Sequence, residues 1–221
     1  MKMQKEIFRS GEGDSWYDRN RETLEEYAPD SDVIVRTLQS LDIVPSRVLE
    51  IGCSSGQRLQ LITDIFGAEC AGVDPSAKAI AAGGARFPRL SLHVATADDL
   101  PFDDGNFDLI IFGFCLYLCD RKDLFRIAQE ADRCLSNNGT LIINDFLPPF
   151  PYRNPYSHFE GVDSYKMDYG KMFTWNPAYS EMASLVYSHG GFRYRDIPDE
   201  RVATVVLRKC EQYAYPDAPF A

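Results

Sequence analysis

The chain has 221 residues, 45% of them hydrophobic, which fits one globular domain with a full core. A formal net charge of −10, with 23 Lys and Arg scattered along the chain, argues against a nucleic-acid partner, which needs clustered cations. No stretch approaches the ~20 continuous apolar residues of a membrane helix, and the start, Met1-Lys2-Met3-Gln4-Lys5-Glu6, has no apolar signal core, so a cytoplasmic protein is expected.

Residues 1–14 are polar and Gly-containing and read as mobile. From Ser15 to Ala28 the recurrence of Trp16, Asn20, Thr23, Leu24 and Tyr27 predicts a helix. Pro29-Asp30-Ser31 breaks it and offers a cap for a second helix ending near Asp42. Strands are expected near 48–52, 69–74, 90–94, 107–113 and 139–145, alternating with helices near 56–66, 76–86 and 121–136. Asn137-Asn138-Gly139 is expected to stop the last of these helices. The strands are continuous apolar runs, such as Leu109-Ile110-Ile111-Phe112, as parallel strands covered on both faces require. This alternation predicts an α/β fold, a doubly wound Rossmann-like sheet.

Residues 146–175 hold four prolines and nine aromatics and read as a long irregular, functional connection. Residues 176–190 read as a helix with Tyr179, Met182, Ala183, Val186 and Tyr187 on one face. Phe192–Ile197 and Val202–Lys209 are expected to form a C-terminal antiparallel hairpin. The division expected is an N-terminal helical lid segment, 1–44, and one domain, 45–221, carrying 146–175 as an aromatic cap.

The chemistry begins at Val48-Leu49-Glu50-Ile51-Gly52-Cys53-Ser54-Ser55-Gly56, an apolar strand ending in an acid, a glycine break, and a second glycine opening a helix. Further on, Cys70-Ala71-Gly72-Val73 ends in Asp74. Strand, glycine turn, helix, strand and terminal acid is the layout of a nucleoside-binding unit, in which the second acid accepts hydrogen bonds from a ribose diol. A phosphate cradle fits less well, because neither G-x-x-x-x-G-K-[ST] nor G-x-G-x-x-G is present. The six cysteines form no C-x-x-C pair and the histidines at 93, 158 and 189 lie far apart, so free thiols and no metal are expected.

Glu50-x-Gly52-x-x-x-Gly56, then Gly72-Val73-Asp74-Pro75-Ser76, Leu100-Pro101-Phe102 and Phe107-Asp108-Leu109-Ile110 resemble, in order and spacing, the motifs of class I S-adenosylmethionine-dependent methyltransferases. The resemblance covers roughly residues 45–145. It implies a seven-stranded sheet closed by the C-terminal hairpin, and S-adenosyl-L-methionine as cofactor. The family's usual middle glycine is Ser54 here, and the position that often carries an adenine-contacting Asp is Thr96, with acids following at Asp98 and Asp99.

On this resemblance Glu50 faces the cofactor's amine, Gly52, Cys53 and Ser54 offer main-chain groups, and Asp74 anchors the ribose. Pro75, Thr96 and Ala97 border the adenine, Gly113 and Phe114 lie near the sulfonium, and Trp16 and Arg19 belong to a lid. The acceptor, a small molecule methylated on N or O, is expected under the 146–175 cap, with His158 as general base and Tyr165 and Tyr169 as orienting hydroxyls. Tyr165-Lys166-Met167-Asp168-Tyr169 resembles methyltransferases of bacterial surface-polysaccharide or secondary-metabolite pathways. Asp145, at a strand tip, is a further candidate. Two other readings stand beside this one: a nicotinamide (NAD)-dependent oxidoreductase, lacking the third glycine, and a nucleoside-binding module without catalysis. A monomer or homodimer is expected.

Overall fold

The computed structural model describes residues 3–25, 32–191 and 193–217. Its centre is a seven-stranded sheet in the order β3-β2-β1-β4-β5-β9-β8. The strands are β1 (Arg47–Ile51), β2 (Glu69–Asp74), β3 (Ser91–Val94), β4 (Phe107–Gly113), β5 (Leu135–Phe146), β8 (Tyr179–Ser188) and β9 (Arg201–Lys209). β1 to β5 are parallel, and β9 runs antiparallel to both β5 and β8. β1, β2, β4, β5 and β8 therefore end at one edge of the sheet. Strand order reverses between β1 and β4, and open α/β sheets bind ligands at that crevice.

Alternation along each strand divides the core. Leu49, Ile51, Ile110, Phe112, Leu141 and Ile143 pack on one face with α6 (Leu124–Cys134) and α7 (Lys171–Thr174). Val48, Leu109, Ile111 and Ile142 pack on the other with α3 (Val33–Ser40) and α4 (Gln57–Phe66). α5 (Ala77–Arg86) packs by β2 and β3, and α8 (Glu211–Ala214) closes the described chain.

The five parallel strands lie within a few residues of their expected places; other expectations are corrected. Residues 4–12 are ordered as α1 (Gln4–Ile7) and a π-helical turn, Phe8–Glu12, that leads into α2 (Gly13–Glu25). Gln4 holds that segment by donating its amide to the carbonyls of Leu118 (2.7 Å) and Asp163 (3.1 Å). The expected helix end at Ala28 and the cap at Asp30-Ser31 lie outside the described residues; Asp32 caps α3, accepting from Val35 N–H at 2.8 Å. α6 ends at Cys134, and Asn137-Asn138-Gly139 lies within β5, where Asn138 has φ +62° and the β4 pairing shifts register between Phe107 and Leu109.

The cap is not irregular: β6 (Tyr152–Pro155) and β7 (Asp163–Lys166) form a separate antiparallel pair. Residues 179–188 are a strand and not a helix, and this strand is the true partner of β9. A register shift between Glu181 and Ala183 breaks the strict two-residue alternation that marks a strand. Phe192 lies outside the described residues, and residues 193–197 form no strand.

Candidate active site

After β1 the backbone must turn sharply to expose its edge. Gly52 does so at φ +80°, and its N–H and that of Cys53 both donate to the Val73 carbonyl (2.9 and 3.1 Å). A side chain at Gly52 would have its Cβ 2.7 Å from Cys115 Cβ, so the position requires glycine. Ser54 follows in the left-handed region at φ +49°, the strain expected where the motif usually has glycine. Its N–H donates to Asp74 Oδ2 at 2.9 Å, while its buried hydroxyl has no partner.

Asp74, at the tip of β2, also accepts the Ser76 N–H at 2.9 Å, so its carboxylate braces both turns. Burial raises its pKa to about 6 against these two bonds. Ser76 caps α5, accepting from Ala79 N–H at 3.0 Å, and donates its hydroxyl to Asp14 of α2 at 2.6 Å.

The cleft above these turns is lined by Ser54, Gly52 and Asp74 on its floor, by Pro75, Thr96 and Ala97 at one end, and by Gly113 and Phe114 at the other. Trp16 reaches it from α2. Nine of the twelve residues singled out for the cofactor therefore meet in one cavity. Three do not line it. Arg19 donates to Glu12 at 2.5 Å and Tyr156 hydroxyl at 3.2 Å. Cys53 turns into the core under Gly72, and burial holds its thiol well above the ordinary range. Glu50, 2% exposed, lies beneath Gly113 and pairs with Arg58 of α4, which also donates to Asp32 at 2.8 Å. Burial raises the Glu50 pKa against that guanidinium, and its second oxygen, Oε2, has no partner.

The three residues singled out for catalysis also stand off the cleft. His158 is exposed at the β6–β7 turn, edge-on to Tyr156. Tyr165 lies under the Arg121 guanidinium (4.4 Å) with its hydroxyl donating to Asp163 at 3.3 Å. Tyr169, 2% exposed, accepts from Arg121 at 2.9 Å and donates to the Tyr165 carbonyl at 2.7 Å. Both hydroxyls are used within the cap. Asp145, at the tip of β5, is buried with its carboxylate accepting the N–H groups of Leu116 (2.9 Å), Tyr117 (3.4 Å) and Phe146 (2.8 Å). Burial raises its pKa to about 7, and its role is to set Tyr117 in the cleft wall.

Sequence reasoning missed Lys5, Phe8 and Tyr117, which all line the cleft. Lys5 reaches from α1 to pair with Asp98 and with Asp123 (2.9 Å). Burial opposes its charge, but these two carboxylates raise its pKa. Asp120 accepts the Gln4 and Lys5 N–H groups, both at 3.0 Å, so the N-terminal segment is strapped to the cleft's rim. A local signal existed for α1, the Met3/Glu6 pairing in which Met3 N–H donates to Glu6 Oε2 at 3.3 Å. No local signal linked Lys5 to an acid 93 residues away.

The fold, the glycine turn and the strand-tip acid together make a ligand-binding edge, and comparison with known proteins shows what it is similar to. The family model described as a methyltransferase domain matches residues 49–143. An uncharacterized methyltransferase of Synechocystis is 30% identical over 113 residues, 51% of this chain and 53% of that protein. The demethylmenaquinone methyltransferase of Thermotoga maritima is 32% identical over 112 residues, 49% and 47% of the two chains. The chain thus spans about half the length of these curated relatives.

Among solved structures, the 1,6-didemethyltoxoflavin-N1-methyltransferase of Burkholderia thailandensis, bound to 1,6-didemethyltoxoflavin and S-adenosylhomocysteine, superposes with a TM-score of 0.71 at 15% identity. That match covers 93% of this chain and 88% of the other. The N-methyltransferase NodS of Bradyrhizobium japonicum gives 0.57 at 18% identity over 81% and 89%. At such identities the two structures speak for the fold alone. Residues 49–143 of this chain are thus similar to methyltransferase domains, and its fold is shared with the two methyltransferases above.

Proposed function

We propose that the protein transfers a methyl group from S-adenosylmethionine to a nitrogen or oxygen of a small organic acceptor. The observation that carries this reading is the Asp74 carboxylate at the β2 tip, lining the cleft beside the unpartnered Ser54 hydroxyl. Each Asp74 oxygen accepts one N–H and keeps a further acceptor site, which a ribose diol would fill. Glu50 Oε2, a buried acceptor with no partner beneath the turn, fits an amine reached directly or through one water. The cofactor, when bound, supplies an activated methyl group on a positive sulfur.

The chain's own residues then bind, orient and exclude water. Gly52 and Gly113 leave room at the floor, Thr96 and Ala97 border the adenine end, and Phe114 and Tyr117 wall the acceptor end. The segment 1–44 acts as a lid through Lys5 and Trp16, and 146–175 as a cap over the acceptor. Proton removal is not assigned to His158, Tyr165 or Tyr169, because none lines the cleft. A small acceptor agrees with the net charge of −10, and with demethylmenaquinone and 1,6-didemethyltoxoflavin, named for two of the proteins above. Six free cysteines suit a reducing, cytoplasmic setting.

Calorimetry separates this from a nicotinamide enzyme: S-adenosylhomocysteine should bind and NAD should not. Asp74→Ala should weaken S-adenosylhomocysteine at least about tenfold, roughly 1.4 kcal/mol. Unchanged affinity in a folded variant refutes the assignment.

A further inference from the structure

Tyr117 stands at the aromatic end of the cleft, on the short 3-10 turn Leu116–Leu118 that follows β4. Its ring is held edge-on by Phe114 and Phe146, with centroids 5.4 and 5.2 Å away. Its N–H donates to the Asp145 carboxylate at 3.4 Å, so backbone and ring are both fixed. Phe114 beside it has φ +59°, a conformation that non-glycine residues keep where the surroundings enforce it, often at functional sites.

The Tyr117 hydroxyl has no hydrogen-bond partner among the described residues, yet it is not sealed in the core. Its polar neighbours are already used. Asp145 accepts three N–H groups, and the Cys115 thiol donates to the Ile51 carbonyl at 3.3 Å. The Tyr156 hydroxyl donates to Glu12 at 3.1 Å and accepts from Arg19 at 3.2 Å. A fixed phenol with an unused oxygen, lining a cleft, is a hydrogen-bonding position for a ligand.

Among the described residues no free base lines that cleft. Asp98 and Asp123 pair with Lys5, and Asp120 accepts two N–H groups. Asp74 braces both turns and is assigned to the ribose. Burial pushes the Cys119 thiol up to about 12, and holds the Cys115 thiol and the Tyr117 hydroxyl well above their ordinary ranges, so all three keep their protons. An acceptor in this cleft must bring its own free lone pair.

We infer that the Tyr117 hydroxyl orients the methyl acceptor, and that the acceptor is a planar aromatic amine, uncharged at neutral pH, whose N–H the phenol oxygen accepts. This rests on the methyltransferase reading. Holding the N–H turns the nitrogen lone pair toward the methyl group, while the ring packs against Phe114. In the step, that lone pair forms the new bond to the methyl carbon. The carbon–sulfur bond breaks with its pair left on sulfur, and the N-methylated cation then loses its N–H proton to water. The cation's charge is favoured meanwhile by a cleft in which Asp74, Asp98, Asp120 and Asp123 outnumber Lys5.

The test uses the full chain and two probes of one shape, aniline and toluene, with S-adenosylhomocysteine bound. Ligand-observed NMR measures both affinities in the wild type and in Tyr117→Phe, which keeps the ring and its packing. The preference for aniline over toluene should be about three- to tenfold greater in the wild type, the effect of a single hydrogen bond. A ring that only packs would give equal preferences, and that result overturns the inference. A second measurement needs the wild type alone: radiolabelled S-adenosylmethionine should methylate aniline at pH 7 and not phenol, whose proton no group in the cleft takes. No transfer to aniline, or transfer to phenol at a matching rate, overturns the amine assignment. These outcomes leave the cofactor assignment standing. Failure of S-adenosylhomocysteine to bind overturns the parent reading, and this one with it.

Discussion

Asp74 illustrates how one side chain can couple fold and ligand. Its charge is penalised by burial, which places its pKa at about 6, well above the usual 3.8. A raised carboxylate pKa contributes stability fully below its unfolded value, and that contribution is lost as pH rises through the folded value. Under the proposed function ligand binding has the opposite sign, because ribose hydroxyls would donate to the charged form. Affinity for S-adenosylhomocysteine should therefore be full above about pH 6 and fall as pH drops through it. Binding near that pH should release protons. Calorimetry in buffers of different ionisation enthalpy measures this, and Asp74→Asn should abolish the proton release. Gly52, Ser54 and Asp74 were legible from sequence because each does a local task, turning the chain or ending a strand. Glu50 was legible as a strand-tip acid, but its ion pair with Arg58 was not, because it depends on how the first turn of α4 packs over β1.

At the scale of elements, the N-terminal segment and β8 depart furthest from expectation. Residues 4–12 look featureless because their partners, Asp98, Asp120, Leu118 and Asp163, are distant in sequence. Lys5 ties this strap to the rim with partly exposed ion pairs, each worth about 1 kcal/mol or less. Lys5→Met should raise the dissociation rate of S-adenosylhomocysteine by about three- to tenfold in stopped-flow displacement, with the fold retained. An unchanged rate removes the lid. In β8, Tyr179, Met182, Ala183, Val186 and Tyr187 recur at helical steps, yet the segment is a strand because its ladder with β9 satisfies the backbone. The bulge near Met182 accounts for the misleading spacing.

Across the whole molecule, one buried cluster joins three elements: Arg58 of α4 bridges Glu50 of β1 and Asp32 at the cap of α3. Burial opposes the charge on Arg58, yet the two carboxylates raise its pKa. Arg58→Met would leave both carboxylates buried and uncompensated, at a cost of about 3–5 kcal/mol. Urea denaturation at pH 7.5 should show this loss, and the loss should shrink as pH falls and Glu50, whose pKa burial raises, protonates.

Sequence alone determined the parallel strands, their order of appearance, the glycine turn and the strand-tip acids. Continuous apolar runs, a forced positive φ and a terminal carboxylate are properties of a few adjacent residues. Tertiary structure decided the rest: that β8 lies beside β9, that Lys5 closes over Asp98, and that Tyr117 instead of Tyr165 or Tyr169 stands in the cleft wall. These depend on which distant backbone groups find hydrogen-bond partners, and strand propensity is set by that pairing more than by the residues themselves.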